Sequence, residues 1–469
     1  MRNVFYWAAL LFVLAGCAAT PSRGVATPGP NLVSSLFPKP TSTPVPLAAT
    51  ITPDSAPSFR AVAGRPPFTV TFNVTITGGA APYQVAWDFQ GMGKTDSADS
   101  APRPVVYSAG EYTATVTVKD RAGATTRADR RIVVLGNPPA LPNWKYGVTA
   151  QVDQRRAGYY PTLQDVAHAA DLMAAAGVQA VRVDFGWDQL NPAPQQYQWQ
   201  DYEAMVQALR ARKLDVMGVL DYSSWWGSAA QSSDDWRVRL YSPPLDPRDF
   251  ARYAYAVVSH FKNNVHVWQV WNQPNTSDFW KPLPDAARYV QLLQETYLAI
   301  KYADPQAVVV FGGLSGNGVE GDNASGWESN FIQSAYAAGA RGYFDVMAIH
   351  PFILPNSGIA VVRNRITATR ATLTANGDGK LPIWLTEMGV PTDAPWWPTA
   401  PLQSEASQAA WLAQVYTRLW DQTPTIFWYS LQDRAGEDDP DAHFGLLHAD
   451  YSSKPAYDQL KGLTGGAGH

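Results

Sequence analysis

The chain has 469 residues, 46% hydrophobic and 16% charged, with a formal net charge of −4. That length sets an expectation of about three domains at roughly 150 residues each, although one barrel absorbs ~250 or more. The hydrophobic share excludes global disorder, and the near-balanced charge gives no ground for a nucleic-acid partner or for adsorption on an anionic membrane.

The start reads "MRNVFYWAALLFVLAGC": Arg2, then an apolar run from Val4 to Val13, then Leu14-Ala15-Gly16-Cys17. Such a run is short of the ~20 residues that span a bilayer and has the make-up of a signal-peptide core. The L-A-G-C ending resembles the bacterial lipobox. The resemblance implies removal of residues 1–16, lipidation of Cys17, and a mature protein held on the extracytoplasmic side of the cell envelope. Cys17 is the sole cysteine, so no intrachain disulfide exists. Residues 17–57 are rich in Pro, Thr, Ser and Ala and are expected to be a disordered spacer.

Residues 58–136 change character. "FTVTFNVTIT", "YQVAWDF", "EYTATVTVKD" and "RRIVVL" alternate apolar and polar residues between Gly, Asp and Ser, the period of half-buried antiparallel strands. Trp87-Asp88-Phe89 and the stretch 107–120 resemble the PKD domain, an immunoglobulin-like all-β sandwich. Gln90-Gly91-Met92-Gly93 stands where that family has G-D-G. Trp87 is expected in the core. Residues 137–143 read as a second linker.

From 144 to 463 short apolar runs alternate with helical patterns, leaving 464–469 as a tail. The strands are expected at 145–150, 178–185, 214–220, 265–272, 307–312, 344–350, 382–388 and 424–430. Between them, stretches such as "DPRDFARYAYAVVSHFKNN" repeat apolar residues at three and four, as one-faced helices do. Eight strand–helix units predict parallel strands closed into a (β/α)₈ TIM barrel, making the fold multidomain. No G-x-G-x-x-G follows the first strand, and there is no Walker loop or H-E-x-x-H.

Barrel chemistry gathers at the C-terminal strand ends. There the sequence puts Arg182, Asp184 and Trp187 after strand two, and Asp221, Trp225 and Trp226 after three. Asn272, Gln273, Asn275 and Trp280 follow four, and His350 and Phe352 follow six. Glu387, Trp396 and Trp397 follow seven, and Trp428, Tyr429, Gln432 and Asp433 follow eight. A lone carboxylate at the end of "PIWLTEMG" among many loop aromatics suits sugars, whose rings stack on flat faces. The chain has 18 Trp, 22 Tyr and 17 Phe, most of them expected in cores.

Together "VRVDFGW", "WNQPN", "AIHPF", "WLTEMG", "FWYSL" and "FGLLHADYSSKPAYDQL" resemble the clan A glycoside hydrolases, close to the β-xylosidase and α-iduronidase family. The resemblance spans 144–463. It implies Glu387 as nucleophile and Asn272 as holder of the sugar 2-hydroxyl. It sets Arg182 beside the nucleophile, keeping it ionised, with His350 lining the site and Trp428 flooring the sugar subsite. Trp187 and Tyr429 join them as substrate-binding residues. No cofactor is implied.

One position departs. Retaining enzymes use two carboxyls ~5–5.5 Å apart, one attacking carbon and one protonating the leaving oxygen. The second position here is Gln273, and an amide delivers no proton. Phe352 stands where the family often has Tyr. Three readings follow. Another acid takes the role, with Asp221, Asp278 and Glu437 as loop candidates. Or the chemistry persists only for leaving groups that depart without a proton, as in the plant thioglucosidases, which carry Gln at the matching place. Or hydrolysis is lost and the barrel binds carbohydrate as a pseudo-glycosidase. The expectation is a glycoside hydrolase acting through Glu387 on an envelope or extracellular oligo- or polysaccharide. The seven histidines show no ligand spacing, so no metal site is expected. Asp438, Asp439 and Asp441 read as a solvated acidic loop.

Overall fold

The computed structural model describes residues 45–52, 61–64, 67–136, 139–153, 160–316, 328, 330–353, 355–392, 402–434 and 440–465. The expected signal peptide, Cys17, Trp396, Trp397, Glu437, Asp438 and Asp439 lie outside them. No helix among the described residues is long and apolar enough to cross a membrane.

The N-terminal part is all β. Its strands are β1 (Ala48–Thr52), β2 (Ala61–Gly64), β3 (Phe68–Val70), β4 (Asn73–Thr77), β5 (Gln84–Asp88), β6 (Val105–Tyr107), β7 (Gly110–Lys119) and β8 (Thr125–Val134). They form a four-stranded sheet in the order β2-β8-β7-β5 and two pairs, β1-β4 and β3-β6. Trp87 is fully buried, stacked on Phe89 and tilted against Phe72, and its indole N–H donates to the Asp99 carbonyl. The Asp88 carboxylate accepts from the backbone N–H groups of Gln90, Gly91, Met92 and Gly93, so this loop is closed by the aspartate of W-D-F without a G-D-G. Within the stretch expected as a disordered spacer, residues 48–52 instead form β1, antiparallel to β4, with Ile51 in the core. One buried isoleucine and a ladder of main-chain bonds outweigh a Pro- and Thr-rich setting there.

The larger part is a parallel sheet of (β/α)₈ type. Its strands are β9 (Tyr146–Thr149), β10 (Ala180–Gly186), β11 (Asp215–Asp221), β12 (Val267–Val270), β13 (Val308–Val310), β14 (Leu314–Ser315), β15 (Met347–His350), β16 (Ile383–Met388) and β17 (Ile426–Tyr429). Each falls on an expected strand except β14, which lies just beyond the expected 307–312 and continues β13 after a break. β9 pairs with both β10 and β17. The ring closes at the split strand, where β14 pairs β15 and parallel bridges join Val310 to Val346 and Asn272 to Gly313. Several of the surrounding helices start where side chains accept their free N–H groups. Thr162 forms a capping box with Asp165, and Asp246, Asp285 and Ser404 cap three others.

Strand periodicity sorts the side chains. Ala180, Met217, Val267, Val308, Val310, Val346, Ala348, Trp384 and Phe427 pack together with Trp144 as one apolar plug. The residues between them, such as Val181, Trp268, Val309, Met347 and Trp428, belong to the separate core shared with the helices. Two residues beyond the plug, on the same faces, come Arg182, Gln269, His350, Thr386 and Tyr429. The site therefore stands directly on the barrel's interior packing.

Candidate active site

Glu387 reaches the interior through an irregularity. The β16–β17 register shifts between Leu385 and Met388. Those two residues pack outward with the helices. Between them, two consecutive residues turn inward: Thr386 to His350 and Glu387 to Arg182. A bulge re-aims side chains in this way.

Arg182 ties the site together. Its Nη1 lies 2.7 Å from Oε1 of Glu387, and its Nη2 donates to Oδ1 of Asn272 at 2.9 Å. The Asn272 amide in turn donates to the Tyr222 hydroxyl at 3.0 Å, which sets its orientation. Trp271 and Gln273, on either side of Asn272, have φ of 67° and 45°. Such left-handed backbone costs ~1–3 kcal/mol for non-glycine residues. It is held by Trp271 N–H donating to Leu220 O and Gln273 N–H donating to Gly313 O. Gly313 also makes room for His350, since a Cβ there would lie 2.1 Å from Nε2 of the imidazole.

His350 is completely buried. Its Nε2 lies 2.9 Å from the Thr386 hydroxyl, and its Nδ1 lies 3.0 Å from the Gln273 amide and 3.4 Å from Oε2 of Glu387. Burial and the nearby Arg182 charge hold the imidazole well below its ordinary pKa, so it is neutral. Glu387 moves the other way. Burial raises its pKa to about 7, against the pull of Arg182 and with help from the charges of Asp184 and Asp441. The Gln273 amide and the Glu387 carboxylate thus face one imidazole nitrogen. Their tips are no further apart than those two contacts laid end to end.

These groups open on a cavity of about 500 Å³ at the C-terminal strand ends. Arg182, Asn272, Gln273, Glu387 and Tyr429 line it, with Phe352, Tyr222, Tyr241 and Phe279 supplying aromatic wall. Asp278, one of the acids considered as a replacement for the missing glutamate, lines it too. Asp221 does not. Three expected contacts are corrected. His350, completely buried, stands behind Gln273 and Glu387 and does not itself line the cavity. Trp428 is fully buried in the helix-facing core, because it alternates with Phe427 and Tyr429, and Tyr429 takes its place in the cavity. Trp187 is equally buried, bonded to Asn191 and packed against Trp226, Phe250 and Tyr253, so it supports the loop and does not line the cavity. Sequence reasoning missed Asp153, Arg365 and Arg434 and treated Asp441 as loop. All four line the cavity. Asp153 lies three residues past an expected strand end, a usable signal that the wealth of candidates hid. Among the described residues no group of three or more His, Cys, Asp or Glu is placed to hold a metal ion.

The sequence profile of Cellulase (glycosyl hydrolase family 5) matches residues 145–431, more than half of the chain and nearly the whole barrel. The chain belongs to this family. As a cellulase-family member it is a glycoside hydrolase of clan A, as the strand-end motifs implied, although the matching family is not the β-xylosidase and α-iduronidase family that they most resembled. The latter's kind is present among solved folds. A family 39 glycoside hydrolase from Bacteroides cellulosilyticus WH2 is 21% identical, with 86% of this chain and 81% of that one covered at a TM-score of 0.52. A monomeric β-xylosidase from Caulobacter crescentus CB15 is 18% identical, with coverages of 70% and 69% and a TM-score of 0.54. A family 5 enzyme from Streptomyces cattleya, in complex with GlcNAc, is 18% identical, with coverages of 69% and 80% and a TM-score of 0.53. At these identities the likeness is one of fold. No curated protein matches the chain.

Proposed function

We propose that this glycoside hydrolase uses Glu387 as a nucleophile in retaining-type chemistry on an envelope or extracellular oligo- or polysaccharide. The observation that carries the reading is the inward-turned Glu387, ion-paired to Arg182 at 2.7 Å and facing Gln273 across the neutral His350. An oxygen lone pair of Glu387 forms the bond to the anomeric carbon as the bond to the leaving oxygen breaks. Arg182 stabilises the ionised nucleophile, and Asn272, fixed between Arg182 and Tyr222, offers its amide to the sugar 2-hydroxyl. Gln273 donates a hydrogen bond to the leaving oxygen and no proton. Substrates whose leaving group departs as an anion are therefore turned over best. The finer setting is part of the same reading: a PKD-like spacer, a Pro/Thr/Ser-rich stalk and a lipid anchor on Cys17 on the outer side of a membrane.

The test is incubation with activated fluoro-glycosides followed by mass spectrometry. A covalent glycosyl adduct on Glu387 is expected, absent in Glu387→Gln. A second reading, a carbohydrate-binding barrel without turnover, is favoured by the Gln273 amide alone. Saturable binding with no adduct across a broad panel decides for it.

A further inference from the structure

Three neighbouring carboxylates have no part in the chemistry above. Asp153 follows β9, Asp184 lies in β10, and Asp221 ends the neighbouring β11. Asp184 stands two residues beyond Arg182 on the inward face. Asp221 is 1% exposed and Asp153 8%. Oδ2 of Asp221 and Oδ1 of Asp153 are buried with no hydrogen-bond partner among the described residues. Burial and mutual repulsion raise the pKa of Asp153 and Asp221, and burial raises that of Asp184 against the pull of Arg182. Arg182 is occupied by Glu387 and Asn272. A barrel built only for packing gains nothing from this arrangement, because unpaired buried carboxylates are costly.

The open space lies next to the cluster. Asp153 and Asp184 line the Glu387 cavity, and Asp153 also lines a second cavity of about 490 Å³ with Tyr197, Gln198 and Trp199. A sugar hydroxyl would satisfy one orphaned oxygen and leave the repulsion. A metal ion would relieve the repulsion, but the described carboxylates are not placed around a common point for one. An ammonium group answers both needs, with three N–H donors and a positive charge.

We propose that Asp153 and Asp184, backed by Asp221, form a subsite for the protonated amino group of a de-N-acetylated amino sugar held next to Glu387. The inference deepens the proposed function and rests on the cavity being a sugar site. Asp153, where the two cavities meet, takes the amine directly. Asp184 contributes its charge from the barrel wall, and Asp221 holds the field from behind. The substrate class is then a cationic, partly or fully de-N-acetylated polysaccharide rather than a neutral glucan.

Calorimetric titration of the whole protein tests this, with glucosamine and galactosamine oligomers each set against its N-acetylated and its neutral hexose counterpart. Amine-bearing oligomers are expected to bind at least about tenfold more tightly, as charged hydrogen bonds allow. Asp153→Asn and Asp184→Asn should each bring that ratio towards one, and Asp153→Glu should keep most of it. Glu387→Gln should retain the preference. Trapping of Glu387 is read separately, so loss of the adduct with the amine preference intact refutes the nucleophile and leaves this subsite standing, and the converse holds. Equal affinity for amine and acetamide, no binding of any amine oligomer, or a preference that survives both Asn changes overturns the proposal. So does calcium, titrated alone, if it binds and both Asn changes abolish that binding.

Discussion

Replacing Gln273 with glutamate puts a titratable oxygen where an amide now stands. The amide approaches Nδ1 of His350 at 3.0 Å, and the Glu387 carboxylate approaches the same atom at 3.4 Å. The ~5–5.5 Å separation of retaining pairs is within the span those contacts permit. At ~5.5 Å and an effective dielectric of ~20, two carboxylates repel by about 3 kcal/mol, roughly two pK units. Glu387 already titrates near 7. The pair in Gln273→Glu therefore shares one proton around neutrality, and Arg182 keeps it off Glu387. That is the state a retaining enzyme needs, with one ionised carboxylate and one acid. Restored acid catalysis is worth ~10²–10⁴-fold, about 3–5 kcal/mol of barrier. The assay is kcat/KM for two glycosides of one sugar, one with a dinitrophenyl leaving group and one with an alkyl group. The alkyl glycoside should gain the full factor and the dinitrophenyl glycoside little, since its leaving group needs no proton. An equal gain on both, or none on the alkyl substrate, refutes the reasoning.

The Glu387 carboxyl has a folded pKa near 7 against an ordinary 4.5, so the folded state retains a proton that the unfolded chain has released between those values. Stability should fall as pH rises from about 4.5 through about 7, by up to ~3 kcal/mol, while adduct formation rises over the same limb. Denaturant unfolding at a series of pH values should show a flatter slope in Glu387→Gln, and an unchanged slope would contradict the assignment. Trp428→Ala should cost ~3–5 kcal/mol of stability. Tyr429→Ala should instead weaken sugar binding about tenfold with a near-native melting temperature. Melting curves and titrations on both variants check the exchange of roles. Asp221→Asn removes a buried charge whose Oδ2 has no partner, and should raise stability by ~1–2 kcal/mol, or ~1–3 °C. A lower melting temperature would mean that the carboxylate is satisfied after all.

The barrel was legible because its signals are local. Runs such as "AVRVDFG" and "VWQV" are mostly apolar over one strand length and bounded by turns, and eight of them alternate with one-faced helices. Arg182, Asn272, Gln273, His350 and Glu387 were each marked by one short motif at a strand end, and the fold brings all five together. The β1 strand was hidden because a Pro- and Thr-rich composition outweighs five residues in any reading of pattern, while pairing with β4 is a long-range event.

The order of residues along the chain determined that a barrel forms, which end of it carries chemistry, and that an amide faces the one carboxylate of "WLTEMG". It did not determine which neighbouring side chain looks inward. Trp428 and Tyr429 are adjacent, and the two-residue period sends one to the helices and one to the cavity. At Thr386 and Glu387 a register shift suspends that period and turns both inward. The carboxylates of Asp153, Asp184 and Asp221 belong to three different chain segments. Only the parallel alignment of β9, β10 and β11 gathers them into one cluster, because charges far apart in sequence acquire a common field only when the ring brings their strands side by side.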